Sequence, residues 1–157
     1  MGRVSIRERV GLNAKDTIAS IRESAGYHVS VTQVTRFKTS APDVAFLPMA
    51  SVYLPTDELA PEGRSLPYEY RFASVVVELY AVRPQDDDDI DPLVNQLLDD
   101  VYTSMLKDPH RGGFAIDTLY QTAGVLLEQY AVGVQVTFLV KYRFLYQDSS
   151  QPVGAGQ

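Results

Sequence analysis

The sequence predicts an α+β fold, a mostly antiparallel sheet with two helices packed on one face. Two segments, 5–25 and 90–105, repeat apolar residues every three or four positions, which is the spacing of one helix face. The remaining apolar segments alternate with polar residues or are rich in β-branched side chains, as strands are. These strands come in pairs between and after the helices, and that order favours an antiparallel sheet.

The length and composition indicate one domain, which we place at residues 1–148. A chain of 157 residues can bury a single core without disulfides, and it contains no cysteine. The segment SSQPVGAGQ at 149–157 is almost free of bulky side chains, so we expect a flexible C-terminal tail. We see no signal peptide and no apolar stretch that could span a membrane, so the expected location is cytosolic or within a particle. The net charge of −6 disfavours capture of free DNA.

The first predicted helix runs from Ser5 to Ala25. Ser5 and Glu8 resemble a capping box, and Gly26 is suited to a helix C-terminus. Gly11 weakens the middle, so the helix could begin as late as Asn13.

The next segments predict three strands and one long loop. YHVSVTQVTRF at 27–37 alternates as a strand does, and a short edge strand is predicted from Met49 to Leu54, between two prolines. TDELAPEGRSLPYEY at 56–70 is polar and contains prolines, so we expect a functional or partner-ordered loop. RFASVVVELYAVR at 71–83 predicts a strand buried on both faces.

The second half predicts a helix and two or three strands. Asp91 as N-cap and Pro92 in the first turn would start a helix that ends near Asp108. FAIDTLYQTAGVLLEQ at 114–129 predicts one or two strands, interrupted at Gly124. AVGVQVTFLVKYRFLY at 131–146 predicts the longest strand. One of its faces carries Val132, Val134, Val136, Phe138, Val140, Tyr142, Phe144 and Tyr146.

Four consecutive aspartates, Asp86, Asp87, Asp88 and Asp89, precede the second helix. They allow three interpretations: a metal cluster, a solvated helix entry stabilised by the helix dipole, and a surface that repels another polyanion. A calcium loop alternates its ligands and adds a glycine and a distal glutamate, and this run does neither. The helix dipole explains one or two acids, so the surplus charge indicates an outward electrostatic role.

No pattern of residues predicts catalysis. His28 and His110 have no second ligand or base nearby in sequence, and Gly112-Gly113 fits a turn better than a phosphate cradle. We therefore assign no catalytic, cofactor-binding or metal-binding residue and expect no enzyme and no cofactor. A small ligand-binding or metal-binding α+β domain is the distant alternative.

Tyrosines are the residues best suited to a protein interface. Tyr53, Tyr68 and Tyr70 surround the predicted loop, while Tyr142 and Tyr146 lie on the last strand. Tyrosine combines apolar area with a polar tip, which suits interfaces, but it also fits ordinary strand packing. For Tyr68 and Tyr70 both interpretations stay open.

Several motifs in order resemble the tail terminator, or tail-completion, proteins of long-tailed bacteriophages. These motifs are the strand VVVELYAV, the acidic linker and helix DDIDPLVNQLLDDVYTSML, the turn KDPHRGG with FAIDT, and the closing strand VGVQVTFLVKYRF. The N-terminal helix followed by VTQVTRF also fits the order of elements in this family. The resemblance therefore covers most of the chain loosely and the second half more closely, although the 56–70 segment is longer than the family pattern.

The resemblance implies a structural virion protein without catalytic residues. Such proteins form a hexameric ring on the last ring of the tail tube, stop its polymerisation and present a surface to the neck. The implied partners are other copies of the chain, the tail tube protein and a neck or head-completion protein. The implied location is the head-proximal end of the tail, after assembly in the host cytoplasm. A head–tail joining or neck protein of the same fold is the nearest alternative.

A ring needs subunit margins that meet in a closing, heterologous contact. We expect this contact, or the contact with the tube, in the 56–70 segment and at the end of the last strand. A DNA passage lined with carboxylates would repel phosphate, so we expect Asp86 to Asp89 at the lumen or axial rim, where DNA passes without specific binding. The expected interface residues are Tyr53, Asp57, Glu58, Arg64, Tyr68, Tyr70, Tyr142 and Tyr146.

Overall fold

A computed structural model describes residues 3–38 and 42–152. The two helices are α1 Ile6–Ala19 and α2 Ile90–Leu106. The described strands are β1 Gln33–Thr35, β2 Met49–Tyr53, β3 Asp57–Ser65, β4 Tyr68–Val82, β5 Asp117–Leu127, β6 Ala131–Leu145 and β7 Asp148–Pro152. Within this part of the chain they form one sheet, so the predicted α+β class is confirmed.

The sheet is antiparallel except at one margin. Its main path has the order β1-β2-β4-β6-β5, while β3 extends beside β4 and β7 beside β6. Only the β1–β2 pair is parallel among the pairs in the described residues. β4 and β6 pair from Tyr68↔Leu145 to Val82↔Ala131 without a register shift, and they form the centre of the sheet.

Both helices pack on the same face of the sheet. The core there combines buried side chains of α1 and α2 with alternate residues of β4 and β6. The strand residues of this layer are Val75, Val77, Leu79, Ala81, Val132, Val134, Val136, Phe138 and Val140. We call the opposite side of the sheet the open face. The predicted burial of the VVV run on both faces is confirmed, since Val75, Val76 and Val77 are all buried.

The first helix is shorter than predicted and begins at the early boundary. Ser5 caps it by accepting the backbone N–H of Glu8 at 3.1 Å. The helix ends at Ala19, and a separate 3₁₀ turn at Glu23–Ala25 is closed by Gly26 at φ 93°. Helix α1 continues through Gly11. The missing Cβ at this position leaves room for the Arg36 guanidinium.

The predicted strand over 27–37 is mostly irregular, since only Gln33–Thr35 pairs in the sheet. The buried carboxylate of Asp100 in α2 explains the preceding loop. It accepts the backbone N–H groups of both His28 and Val29 at 3.0 Å, so side-chain hydrogen bonds replace a strand ladder there.

Helix α2 begins two residues earlier than predicted, at Ile90 rather than Pro92, and is capped differently. Asp91 lies in its first turn and is not the N-cap, a position that Asp89 occupies without a side-chain hydrogen bond. Asp87–Asp89 form a 3₁₀ turn of their own, in which Asp86 accepts the N–H of Asp88 at 2.9 Å. The acidic run therefore forms a 3₁₀ turn with its N-cap, and this turn leads directly into α2.

The end of α2 depends on a buried arginine. Arg111 is fully buried at φ 48° and donates to the backbone carbonyls of Met105 and Asp108. These carbonyls belong to the last turn of α2 and the residues after it, where helical partners are missing. Burial holds the pKa of the Arg111 guanidinium below its usual range.

The structure also corrects the predictions for three later segments. Gly124 does not interrupt β5, since the strand runs through this position. Nothing lies within 4 Å of the place that a Cβ would take there. The 56–70 segment is a β-hairpin rather than a loop. Residues 149–152 of the expected flexible tail form most of β7, and residues 153–157 lie outside the described part.

Candidate interaction surfaces

Strand β3 and the start of β4 form a hairpin at one end of the sheet, beside the start of α1. They pair from Asp57↔Ala73 to Ser65↔Tyr68, with a register shift between Leu59 and Arg64. We call this part of the subunit, with the end of β6 and β7, the hairpin end. Two apolar side chains are strongly exposed there, Leu59 at 61% and Leu66 at 73%.

The hairpin is tied to the rest of the subunit by a group of charged and polar residues. Asp57 of β3 accepts the Tyr142 hydroxyl at 2.6 Å and an N–H of Arg71 at 3.0 Å. Arg71 also donates to the buried Glu69 at 2.8 Å, and Arg7 of α1 lies 3.7 Å from Asp57. These contacts fix β3 against β4, β6 and α1.

The group explains why one expected interface residue is unavailable. Tyr142 is 2% exposed, so its ring packs inside the subunit and cannot contact a partner. Burial, and next the hydrogen bond to Asp57, hold its pKa above the usual range. The hydroxyl therefore remains a hydrogen-bond donor at neutral pH. Asp57 is likewise committed to contacts within the chain.

The other expected interface residues are partly or fully accessible. Glu58 and Arg64 are exposed on β3, and the Arg64 guanidinium lies 3.7 Å from the ring centroid of Tyr146. Tyr146 is 38% exposed and borders an apolar concavity that Leu66, Pro67 and Leu145 also line. The hairpin end thus combines exposed apolar groups with cations beside aromatic rings.

Aromatic and cationic side chains alternate on the open face of the hairpin end. Tyr68, Tyr70 and Phe72 of β4 lie beside Lys141 and Arg143 of β6. The Lys141 ammonium is 6.0 Å from the Tyr70 ring centroid and Arg143 is 5.5 Å from that of Tyr68, which are cation–π distances. Lys141 also pairs with Glu62 of the hairpin. Tyr68 and Tyr70 are partly buried in this ladder and partly accessible.

Tyr53, at the end of β2, lies beside a buried carboxylate on the open face. Glu78 of β4 is 1% exposed, and its Oε1 is 3.4 Å from the amide nitrogen of Gln135. Its Oε2 is buried without a hydrogen-bond partner among the described residues. Burial, followed by the charge of Glu78, raises the pKa of Tyr53 and also that of Tyr80. In the sequence Glu78 is a single acid within the apolar run VVVELYAV, so the sequence analysis did not identify it.

The acidic run lies at the other end of β4. Strand β4 ends at Val82, and Asp86 to Asp89 follow it, all four exposed. Arg83 is the cation next to the run, with its guanidinium 3.5 Å from Asp87. The carboxylates therefore face solvent at one end of the subunit, while the hairpin forms the opposite end.

One edge of the sheet is an exposed surface that the sequence analysis did not identify. β5 closes the sheet beyond β6, and most of its side chains are exposed, including Leu119, Tyr120, Val125 and Leu127. No charged residue and no proline occurs from Leu119 to Leu127. That absence was the available signal, because exposed edge strands usually carry charges, prolines or both.

The fold also brings His28 to two carboxylates that are distant in sequence. His28 Nε2 lies 3.0 Å from Asp99 Oδ2, and ligand atoms of His28, Asp99 and Asp100 all lie within 4.8 Å of one another. These three residues could hold a cation by spacing alone. However, both Asp100 oxygens already accept backbone N–H groups, so the cluster has a structural role in fixing the loop to α2. The signal in the sequence was a charged residue on the apolar face of α2.

The fold defines an α+β domain with three candidate interaction surfaces, one at each end of β4 and one along the β5 edge. In the described residues no helix is long and apolar enough to cross a membrane. In comparisons with known proteins, the chain matches no family model and no curated protein.

Proposed function

We propose that the chain is a structural subunit of a long-tailed bacteriophage, forming a hexameric ring that caps the tail tube. The ring ends polymerisation of the tube and offers its other side to the neck or head. The proposal rests on the sequence resemblance, and the observation that best supports it is the difference between the two ends of the subunit.

The two ends are joined by one uninterrupted strand pair. β4 has 15 residues, so at roughly 3.3 Å per residue its ends lie about 46 Å apart. The hairpin at one end carries exposed leucines, tyrosines and arginines, a combination that is common in protein interfaces. The other end carries four exposed aspartates. A capping ring has two different partners on its two sides, and this subunit offers each a different chemistry.

We assign the hairpin end to the tube protein. Leu59 and Leu66 are too exposed to stabilise the isolated subunit, and they would gain burial on docking. The exposed Glu58 and Arg64 would form the polar rim of that contact. Tyr68, Tyr70 and Tyr146 supply aromatic area, whereas Tyr142 and Asp57 hold the hairpin in place.

The acidic run suits a passage for DNA. Four carboxylates per subunit, repeated around a ring, would give a dense negative rim that repels phosphate within about 10 Å at ordinary ionic strength. In this proposal the run lies at the axial rim or lumen. DNA would then pass without being retained, and the ring requires neither cofactor nor catalysis.

Tube assembly with purified components tests the proposal. We expect the protein to stop elongation of tube protein at substoichiometric amounts, and particles lacking it to carry tails of uncontrolled length. The double variant Leu59→Ser, Leu66→Ser should lose capping while keeping its fold, and Leu12→Ser at an exposed position of α1 is the matched control for tube binding.

Particles that lack the protein also distinguish a role in ending the tube from a role in joining the head. Tails of normal length that fail to join heads would overturn tube termination and support a neck protein of the same fold. A protein that leaves tube length unchanged and joins heads normally would exclude both assignments.

A further inference from the structure

The two long outer strands of the sheet differ in how their free edges are protected. β3 carries Glu58, Glu62 and Arg64, a proline at position 61 and a register shift, all of which obstruct pairing with another strand. β5 has a single register shift, between Tyr120 and Thr122, and beyond it Thr122–Leu127 is an uncharged, proline-free edge. The backbone N–H and C=O groups on the outer side of such an edge can pair with another strand, so the edge favours association with a further chain.

The opposite margin of the sheet offers a matching edge at the same level. Following the register across the sheet, Gln33 of β1 is aligned with Leu126 of β5 through Met49, Tyr80 and Gly133. Two residues further along β1, Thr35 is aligned with Gly124 of β5 through Ser51, Glu78 and Gln135. A rotation about an axis parallel to the strands would therefore bring β1 of one copy level with β5 of the next.

The strand directions also fit. β1 runs parallel to β2 and thus opposite to β4, whereas β5 runs in the same direction as β4. Rotation about an axis along the strands preserves these directions, so β5 and the β1 of a neighbouring copy would meet as an antiparallel pair. No described strand covers the outer side of either one. At residue 31 this margin is already closed, since the Val31 N–H donates to Ile21 O at 2.9 Å. Within the part of the chain that the structure describes, Gln33–Thr35 form no backbone–backbone hydrogen bond other than those to β2.

Charge selects this pairing over one between two copies of β5. β5 is bounded by the acids Asp117 and Glu128, and an antiparallel β5–β5 pair would bring these like charges together. The β1 margin continues instead towards the exposed Lys38, at the side that faces the Asp117 end of β5, whereas Arg36 is paired with Glu8 within the chain. Phe37, which is 65% exposed, adds apolar area beside them.

We infer that neighbouring copies of this chain associate by pairing β5 of one subunit with β1 of the next, which joins their sheets across the interface. This inference rests on the proposed ring, whose subunit contact it specifies. It is a heterologous contact, and when the rotation between neighbours completes a full turn it gives a ring in which every β5 is paired. It also places the ring axis along the strands, with the hairpin and the acidic run on opposite axial sides.

Cysteine crosslinking tests the contact directly, because the natural chain contains no cysteine. The double variant Val34→Cys, Val125→Cys places one thiol on each margin. Val34 is aligned with Val125 through Ala50, Leu79 and Val134, so the two side chains would lie on the same face of the joined sheet. A short bis-maleimide, which tolerates a small shift of register, should link it into a covalent ladder that ends at the mass of the closed ring. Each single variant should stay unlinked, and an equal mixture of the two should give only linked pairs.

A matched control uses the protected edge. The variant Glu58→Cys, Val125→Cys should give no ladder, since β3 is not the partner of β5. Independently, Val125→Lys should raise the concentration at which half of the chains are assembled by at least tenfold, measured by light scattering. Leu12→Lys, at an exposed position of α1, should leave that concentration unchanged.

The outcomes separate the contact from the proposed function. Linked dimers from Val125→Cys alone would show a two-fold β5–β5 contact and overturn the inference. Rings seen by native mass spectrometry without a ladder from the double variant would overturn the contact while the ring stands. Chains that stay monomeric with and without tail tubes would overturn the ring as well.

Discussion

The Tyr142 hydroxyl of β6 donates to the Asp57 carboxylate of β3 at 2.6 Å and so joins the central strand pair to the hairpin. Removing only this hydroxyl, in Tyr142→Phe, should lower the free energy of unfolding by about 1 kcal/mol. Asp57→Ala should cost about 2 kcal/mol, since it also leaves Arg71 and Arg7 without this partner. Urea titration measures both. Tyr146→Phe, at an exposed ring, should change stability by less than about 0.5 kcal/mol.

Gly133 is required by the close approach of a neighbouring ring. A Cβ at this position would lie 2.6 Å from Tyr80 Cδ1 and 2.8 Å from the Leu79 carbonyl oxygen. We expect Gly133→Ala to destabilise the protein by about 1–3 kcal/mol in thermal or urea unfolding, because strand or ring must shift. Gly124→Ala, on the adjacent strand with open space, is the control and should be neutral. Equal stability of the two variants would contradict this packing.

Arg111 should matter for the end of α2 in two separable ways. Arg111→Ala removes the donors to Met105 and Asp108 carbonyls and should cost about 2–4 kcal/mol, with loss of protection from hydrogen exchange in the last turn. Arg111→Gly should cost about 1 kcal/mol less than Arg111→Ala, because φ is 48° at this position. If alanine were tolerated as well as arginine, the helix end would not depend on these hydrogen bonds.

Alkaline pH should destabilise the protein through the partly buried Tyr102. Burial, and next the interaction with Tyr120, raises the pKa of Tyr102 to about 12, and the two rings meet edge to face at 5.2 Å. The unfolded chain ionises near pH 10, so the stabilisation is complete below that value and is lost as the pH rises from about 10 to 12. Urea midpoints between pH 9 and 11.5 measure the loss. Tyr102→Phe should show a smaller loss, and an identical pH profile would contradict the assignment.

The acidic run should be dispensable for folding. Replacing Asp88 and Asp89 by asparagine removes two exposed like charges, so the unfolding free energy should change by less than about 0.5 kcal/mol. If the run lines a DNA passage, particles with these variants should have tails of normal length but eject DNA more slowly. A loss of ejection rate with Asp99→Asn, which lies outside the run, would argue against a specific role.

The sequence predicted the elements whose side chains alternate between core and solvent. α2 and β6 keep their periods over many residues, and both were located within one or two residues of their observed bounds. The hairpin was missed because DELAPEGRS has charges, proline and glycine, and it becomes a strand only through pairing with β4. Pairing partners are distant in sequence, so a local pattern cannot reveal them.

Residues that act through distant contacts were missed for the same reason. Asp100 resembles an ordinary polar residue until the fold brings the backbone N–H groups of His28 and Val29 to it. Tyr142 was expected at an interface because tyrosine suits one, but its partner Asp57 lies 85 positions earlier in the chain. In contrast, the exposure of Arg64 and Glu58 agrees with the polarity of their segment.

The unbroken register between β4 and β6 has a mechanical consequence. Fifteen residue pairs connect the hairpin to the acidic end without a bulge that could serve as a hinge. A load along the strands would be shared by all the hydrogen bonds of this ladder rather than opening them one at a time. The subunit is therefore stiff in that direction, and a displacement imposed at one end would reach the other almost undiminished.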